Sequence, residues 1–127
     1  MLRLLLVEDE YDMRRTIIEA FKAAPIEITT AVDGLQALEH IKSGRYNIIV
    51  SDINMPNMNG VQLVKKIKTS KLNSGATVII ISASLEKDNI AELQKLGIKN
   101  ILAKPFKISQ IVEIITKAIA AASETPA

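Results

Sequence analysis

A chain of 127 residues with 16 basic and 14 acidic side chains, net charge +2, has the length of one domain and can bury roughly two-thirds of its unfolded surface. Hydrophobic residues make up 48% of it and aromatic residues 3%; the apolar runs are only strand length, so neither a bilayer span nor a base-stacking surface for direct nucleic-acid binding is expected. Cysteine is absent, which excludes disulfides and thiolate metal sites, and Met1 to Val7 meets Glu8-Asp9-Glu10 without a small-residue cleavage site, so a cytoplasmic protein is expected.

Arg3 to Val7 reads as a first strand ending on the acids. Asp12 is placed to cap a helix carrying Ile17, Ala20, Phe21 and Ala24 at helical spacing, which Pro25 ends. Glu27 to Ala31 alternates instead of running apolar, so the second strand is expected at an edge with one face partly wet. Asp33-Gly34 opens a second helix through Leu35, Leu38 and Ile41, with Gly44 just past its end. Ile48-Ile49-Val50 is β-branched and unbroken, the pattern of a strand covered on both faces; Pro56 and the neighbouring Asn residues stop it, leaving Asp52 at its carboxyl end.

Asn59-Gly60 starts a third helix with Val61, Val64 and Ile67 toward the core, and Thr69 to Gly75 is its polar exit. Val78 to Ile81 is the fourth strand, ending on Ser82-Ala83-Ser84. A weaker helix from about Glu86 to Lys95, apolar at Ile90, Ala91 and Leu93, is closed by Gly97. Asn100 to Ala103 is a short fifth strand ending on Lys104-Pro105, and a last helix runs from Ile108 to Ala122 with Ile108, Ile111, Val112, Ile115 and Ile119 on one face. Residues 1–122 are taken as the domain and 123–127 as a flexible tail or the start of a linker. Strands alternating with helices imply a parallel α/β sheet with right-handed crossovers and helices on both sides.

All strands of such a sheet point the same way, so Glu8, Asp9, Asp52, Ser82 and Lys104 reach one rim, where open α/β sheets place their ligand chemistry. Each has an ordinary explanation alone, as an acidic turn, a turn residue, a helix cap or a surface charge. Together they would make an acidic cluster that destabilises the fold unless a cation neutralises it. Oxygen donors without His or Cys suit Mg²⁺. Lys104 and the Ser82 hydroxyl then remain to meet a tetrahedral oxyanion, such as a phosphoryl group attached to an Asp. His40 has no partner that spacing assigns and reads as a surface residue, while Met55 and Met58 read as loop packing.

Val7-Glu8-Asp9-Glu10, Ser51-Asp52-Ile53-Asn54-Met55-Pro56 with Gly60 following, Ile81-Ser82-Ala83 and Ala103-Lys104-Pro105-Phe106 together resemble the receiver domain of two-component response regulators, from Leu2 to about Ile119. The resemblance implies a flavodoxin-like (βα)5 sandwich of strand order 2-1-3-4-5. It implies that Asp52 accepts a phosphoryl group from a histidine kinase or histidine phosphotransfer partner and that the switched domain regulates a downstream effector. Asp9, Asp52 and the Asn54 carbonyl would ligate Mg²⁺, Glu8 would act through bound water, Lys104 would pair with the phosphoryl group, and Ser82 would swing toward it with the loop that follows. The Lys104-Pro105 bond is expected to be cis. Such a protein transfers and slowly hydrolyses its own phosphoryl group and turns over no separate substrate.

Docking of the kinase-side partner is expected over the rim and the first helix, with Met13, Arg14 and Ile17 beside Pro105 and Phe106. Two positions depart from the family pattern. Glu8 stands where Asp is more usual, and Ile101 replaces the Tyr or Phe whose rotation reports phosphorylation, so the response is expected near Ser82 to Asn89 instead. A receiver-like interaction module that is never phosphorylated is one alternative. A haloacid-dehalogenase-like phosphatase is another, but it needs a second acid where Asn54 stands; a flavodoxin relative needs a phosphate-cradling loop where the acids follow strand one.

Overall fold

The computed structural model describes residues 1–55, 57–83 and 86–124. Along the chain run β1 (Leu2–Val7), α1 (Tyr11–Ala20), β2 (Ile26–Ala31), α2 (Gly34–Ser43), β3 (Ile48–Asp52), α3 (Gly60–Thr69), β4 (Thr77–Ser82), α4 (Lys87–Lys95), β5 (Asn100–Ala103) and α5 (Ile108–Glu124). The strands form one sheet in the order β2-β1-β3-β4-β5, every neighbouring pair parallel. This is the flavodoxin-like arrangement, with β2 at an edge as its half-alternating pattern requires.

The unbroken apolar runs are explained by a core on each side of the sheet. Leu5, Val7, Ile49 and Ile80 point to a cluster completed by Ala37 and Ile41 of α2, Leu63, Val64 and Ile67 of α3 and Leu93 of α4. Leu4, Leu6, Val50 and Ile79 point the other way, to Ile17 of α1 and Ile111, Ile115 and Ala118 of α5. Successive side chains of one strand therefore serve opposite layers. No helix among the described residues is long and apolar enough to cross a membrane.

Several local expectations are corrected. Glu10, not Asp12, is the N-cap of α1, and it makes no side-chain cap bond; Asp12 lies in the first turn. The helix stops at Ala20, short of Pro25, because the chain tightens into turns in which the Phe21 and Ala24 amides donate to the Ile18 and Phe21 carbonyls, at 3.2 and 3.0 Å. Ala20 is exposed. On α2 the buried face is Gly34, Ala37 and Ile41, and Leu35 is exposed; Met58 lies against position 34, where a Cβ would come within 2.6 Å of it. Ala91 and Ile108 are exposed as well.

Gly44 caps α2 in an extended conformation, φ −139°. Gly97 instead needs the left-handed region, φ +82°: it and Ile98 donate to the Gln94 and Leu93 carbonyls, both at 3.0 Å, the paired pattern of a Schellman cap. α5 runs two residues past the expected boundary at 122, to Glu124. The expectations placed on Pro56, on Ser84 and on the last residues, 125–127, lie outside the described residues.

Candidate functional site

Asp52 is the last residue of β3 and sits between β1 and β4. The ladder continues for one more bond, Ile53 amide to Ile81 carbonyl at 3.1 Å, and the chain then turns back on itself, the Gly60 amide donating to the Ile53 carbonyl at 2.8 Å. Gly60 permits that turn, since a Cβ there would lie 2.6 Å from the Ile53 Cα and 3.0 Å from the Asp52 carbonyl oxygen. Asn59 caps α3 through a reciprocal capping box with Gln62. The loop is also moored sideways: Asp33 accepts from the Gln36 amide with Oδ1 at 2.8 Å and from Asn57 Nδ2 with Oδ2 at 3.0 Å. Asn57 takes a left-handed φ of +73°, a conformation that Asn tolerates better than most residues.

The Asp52 carboxylate is almost fully buried and is bonded on both oxygens. Oδ1 accepts from the Asn54 amide at 2.9 Å and Oδ2 from Lys104 Nζ at 2.8 Å. Lys104 leaves the end of β5, where its own amide donates to the Ser82 carbonyl at 2.7 Å and its bond to Pro105 is cis. Its ammonium also lies 3.3 Å from Glu8 Oε2 and 3.7 Å from Glu10 Oε1. Glu8 is fully buried, and its carboxylate accepts from the Glu10 amide at 3.2 Å.

Burial governs the electrostatics. Loss of water pushes the Glu8 carboxyl up to about 7 from 4.5, against the opposing pull of Lys104 and the Glu10 amide. For Lys104 burial pulls the other way, but the Asp52 hydrogen bond and the charges of Glu8 and Asp52 outweigh it and hold the ammonium above its ordinary value. Glu8, Asp9 and Asp52 each offer a carboxylate oxygen, and these lie within 4.8 Å of one another. This all-oxygen donor set fits a hard divalent ion such as Mg²⁺.

Every residue assigned to the rim reaches it. Ser82 is buried, and its Oγ receives the Asn54 side-chain amide at 3.0 Å. His40 lies in the last turn of α2, the opposite end of that helix from the rim. Met55 and Met58 pack on the core cluster of α2, α3 and α4. The docking expectation needs correction at Ile17, which is fully buried in the α1–α5 layer and cannot meet a partner. Arg14, expected at the docking face, also serves the site: its Nη1 donates to the Glu8 and Asp9 carbonyls at 2.8 and 3.1 Å. The available signal was its place one turn into the helix that follows the acids. Ser51, also unassigned from sequence, donates its buried hydroxyl to the Asp52 carbonyl at 2.9 Å.

The sequence pattern described as "Response regulator receiver domain" matches residues 4–116. Chemotaxis protein CheY of Thermotoga maritima is 34% identical over 116 residues, covering 91% of this chain and 95% of that one. Sporulation initiation phosphotransferase F of Bacillus subtilis is 32% identical over 115 residues, 91% of each. Among solved structures, the receiver domain of the Francisella response regulator 1452 is similar with a TM-score of 0.81 at 31% identity, covering 99% of this chain and all of that one.

Proposed function

This chain belongs to the response regulator receiver family of two-component signalling, and on that footing we propose that Asp52 accepts a phosphoryl group from a sensor histidine kinase or histidine phosphotransfer protein and that the switched domain regulates an effector. The observation that carries this reading is the Asp52 carboxylate itself, buried, bonded to Lys104 at 2.8 Å, and adjoining Glu8 and Asp9. One Asp52 oxygen attacks phosphorus, the phosphorus–nitrogen bond to the partner's imidazole breaks, and its electron pair stays on the imidazole nitrogen. Lys104, already held at the carboxylate by Glu8, neutralises a phosphoryl oxygen, and the Ser82 hydroxyl donates to another.

The carboxylates of Asp9 and Asp52 and the Asn54 carbonyl would hold Mg²⁺, with Glu8 acting through bound water. The ion supplies charge neutralisation between these acids and the incoming phosphoryl oxygens. The domain acts as a signalling module in the cytoplasm, transferring and slowly hydrolysing only its own phosphoryl group.

Incubation with acetyl phosphate and Mg²⁺, followed by intact mass measurement, is expected to show one added phosphoryl group. Asp52→Asn and chelation of the metal should each abolish it. Equal labelling of Asp52→Asn would overturn the site assignment, and labelling without metal would overturn the role of Asp9.

A further inference from the structure

We infer that Arg14 is a positioning residue for the divalent-cation site, holding the Glu8–Asp9 backbone from which the acids are presented. This rests on the proposed function above. A single nitrogen, Nη1, donates to consecutive carbonyls, Glu8 at 2.8 Å and Asp9 at 3.1 Å. Asp9 is exposed and lies between β1 and α1, in neither element, so the direction of its carboxylate is inherited from its backbone. The residues around it are tied from elsewhere: the Glu8 amide donates to Ala31 at 3.0 Å, the Glu10 amide to the Glu8 carboxylate at 3.2 Å, and the Glu10 carbonyl accepts the Arg14 amide at 3.1 Å. Arg14 therefore fixes the peptide between two held points. Its guanidinium is itself restrained by the Tyr11 ring, 5.7 Å from centroid to Cζ.

A bland alternative makes Arg14 no more than a positive charge beside the acids, and the two readings predict opposite signs. A bare charge repels a cation, so removing it would tighten Mg²⁺ binding. A group that orients ligands has the reverse effect, and loss of such outer partners typically weakens metal affinity by about 10- to 100-fold. Lysine separates the two, because it keeps the charge but is a point donor without the planar fork of arginine.

The test is a Mg²⁺ titration of the full chain without phosphodonor, following the amide resonances of Glu8 to Glu10 and of Asp52 to Asn54 in wild type, Arg14→Ala and Arg14→Lys. Expected is a Kd raised about tenfold or more in Arg14→Ala, with Arg14→Lys closer to Ala than to wild type. In the metal-free state the Asp9 and Glu10 amides should shift in both variants while those of Leu4 to Leu6 stay in place. Unchanged or tighter Mg²⁺ binding in Arg14→Ala overturns the inference; should that variant not fold, wild-type affinity in Arg14→Lys overturns it equally. A wild-type chain that binds no Mg²⁺ overturns the proposed function and this inference with it.

Discussion

Glu8 shows what it costs to hide an acid next to a lysine. Its carboxyl is raised to about 7 from 4.5 because it is fully buried. Between those values the folded chain binds more protons than the unfolded one, so stability falls as pH rises: the contribution is complete below 4.5 and is lost as pH passes through 7. Urea unfolding in the presence of a chelator should therefore show wild type weakening across this window. Glu8→Gln should be flatter across it and more stable than wild type near pH ~8. A parallel pair of curves would refute the assignment. The sequence placed Glu8 at the rim, since a strand end is readable from where the apolar run stops. Its burial was not readable, because an acid following Val7 looks the same whether water or Lys104 covers it.

At the scale of elements, the strands and helices follow from period and punctuation, but the face that each helix turns inward depends on what it meets. Leu35 is exposed and Gly34 buried because Met58 lies against position 34, where a Cβ would come within 2.6 Å of it. Connections are harder still. Asn73 falls in a stretch that reads as a polar exit, yet it is fully buried, accepting from the Tyr46 amide at 2.7 Å and donating to the Ile41 and Gly44 carbonyls at 2.9 and 2.8 Å. It closes the end of α2 as a backbone strand would. Asn73→Ala strands these groups and is expected to cost roughly 3 kcal/mol in urea unfolding; wild-type stability would show that water replaces the side chain. Gly60→Ala should cost about 1–3 kcal/mol by forcing Ile53 away and should slow labelling by acetyl phosphate. Gly75→Ala is its control, with nothing within 4 Å of the added carbon, and should do neither.

For the whole molecule, periodicity specified a two-sided parallel sheet but not which strands are neighbours; the family resemblance supplied the order, because an apolar run says that a strand is interior and not beside what. The same limit applies to how a signal leaves the site. Ile101 is half-buried on β5 opposite Ile80 and packs with Leu96 on the α2–α3–α4 layer. Isoleucine is stiff at χ1 and has no hydroxyl to exchange, so on binding beryllofluoride, a phosphoryl mimic, large amide shifts are expected around Ser82 and the start of α4 and small ones at Ile101 and α5. The reverse pattern would refute this. Lys104 bears on a different property. By standing among Glu8, Glu10 and Asp52 it acts as a built-in counter-ion, so the nascent chain can close its core before any metal arrives, unlike small domains that fold only around their ion. On the proposed function, magnesium supply would then set when the protein is able to act, while closure of the core would not have to wait for the ion.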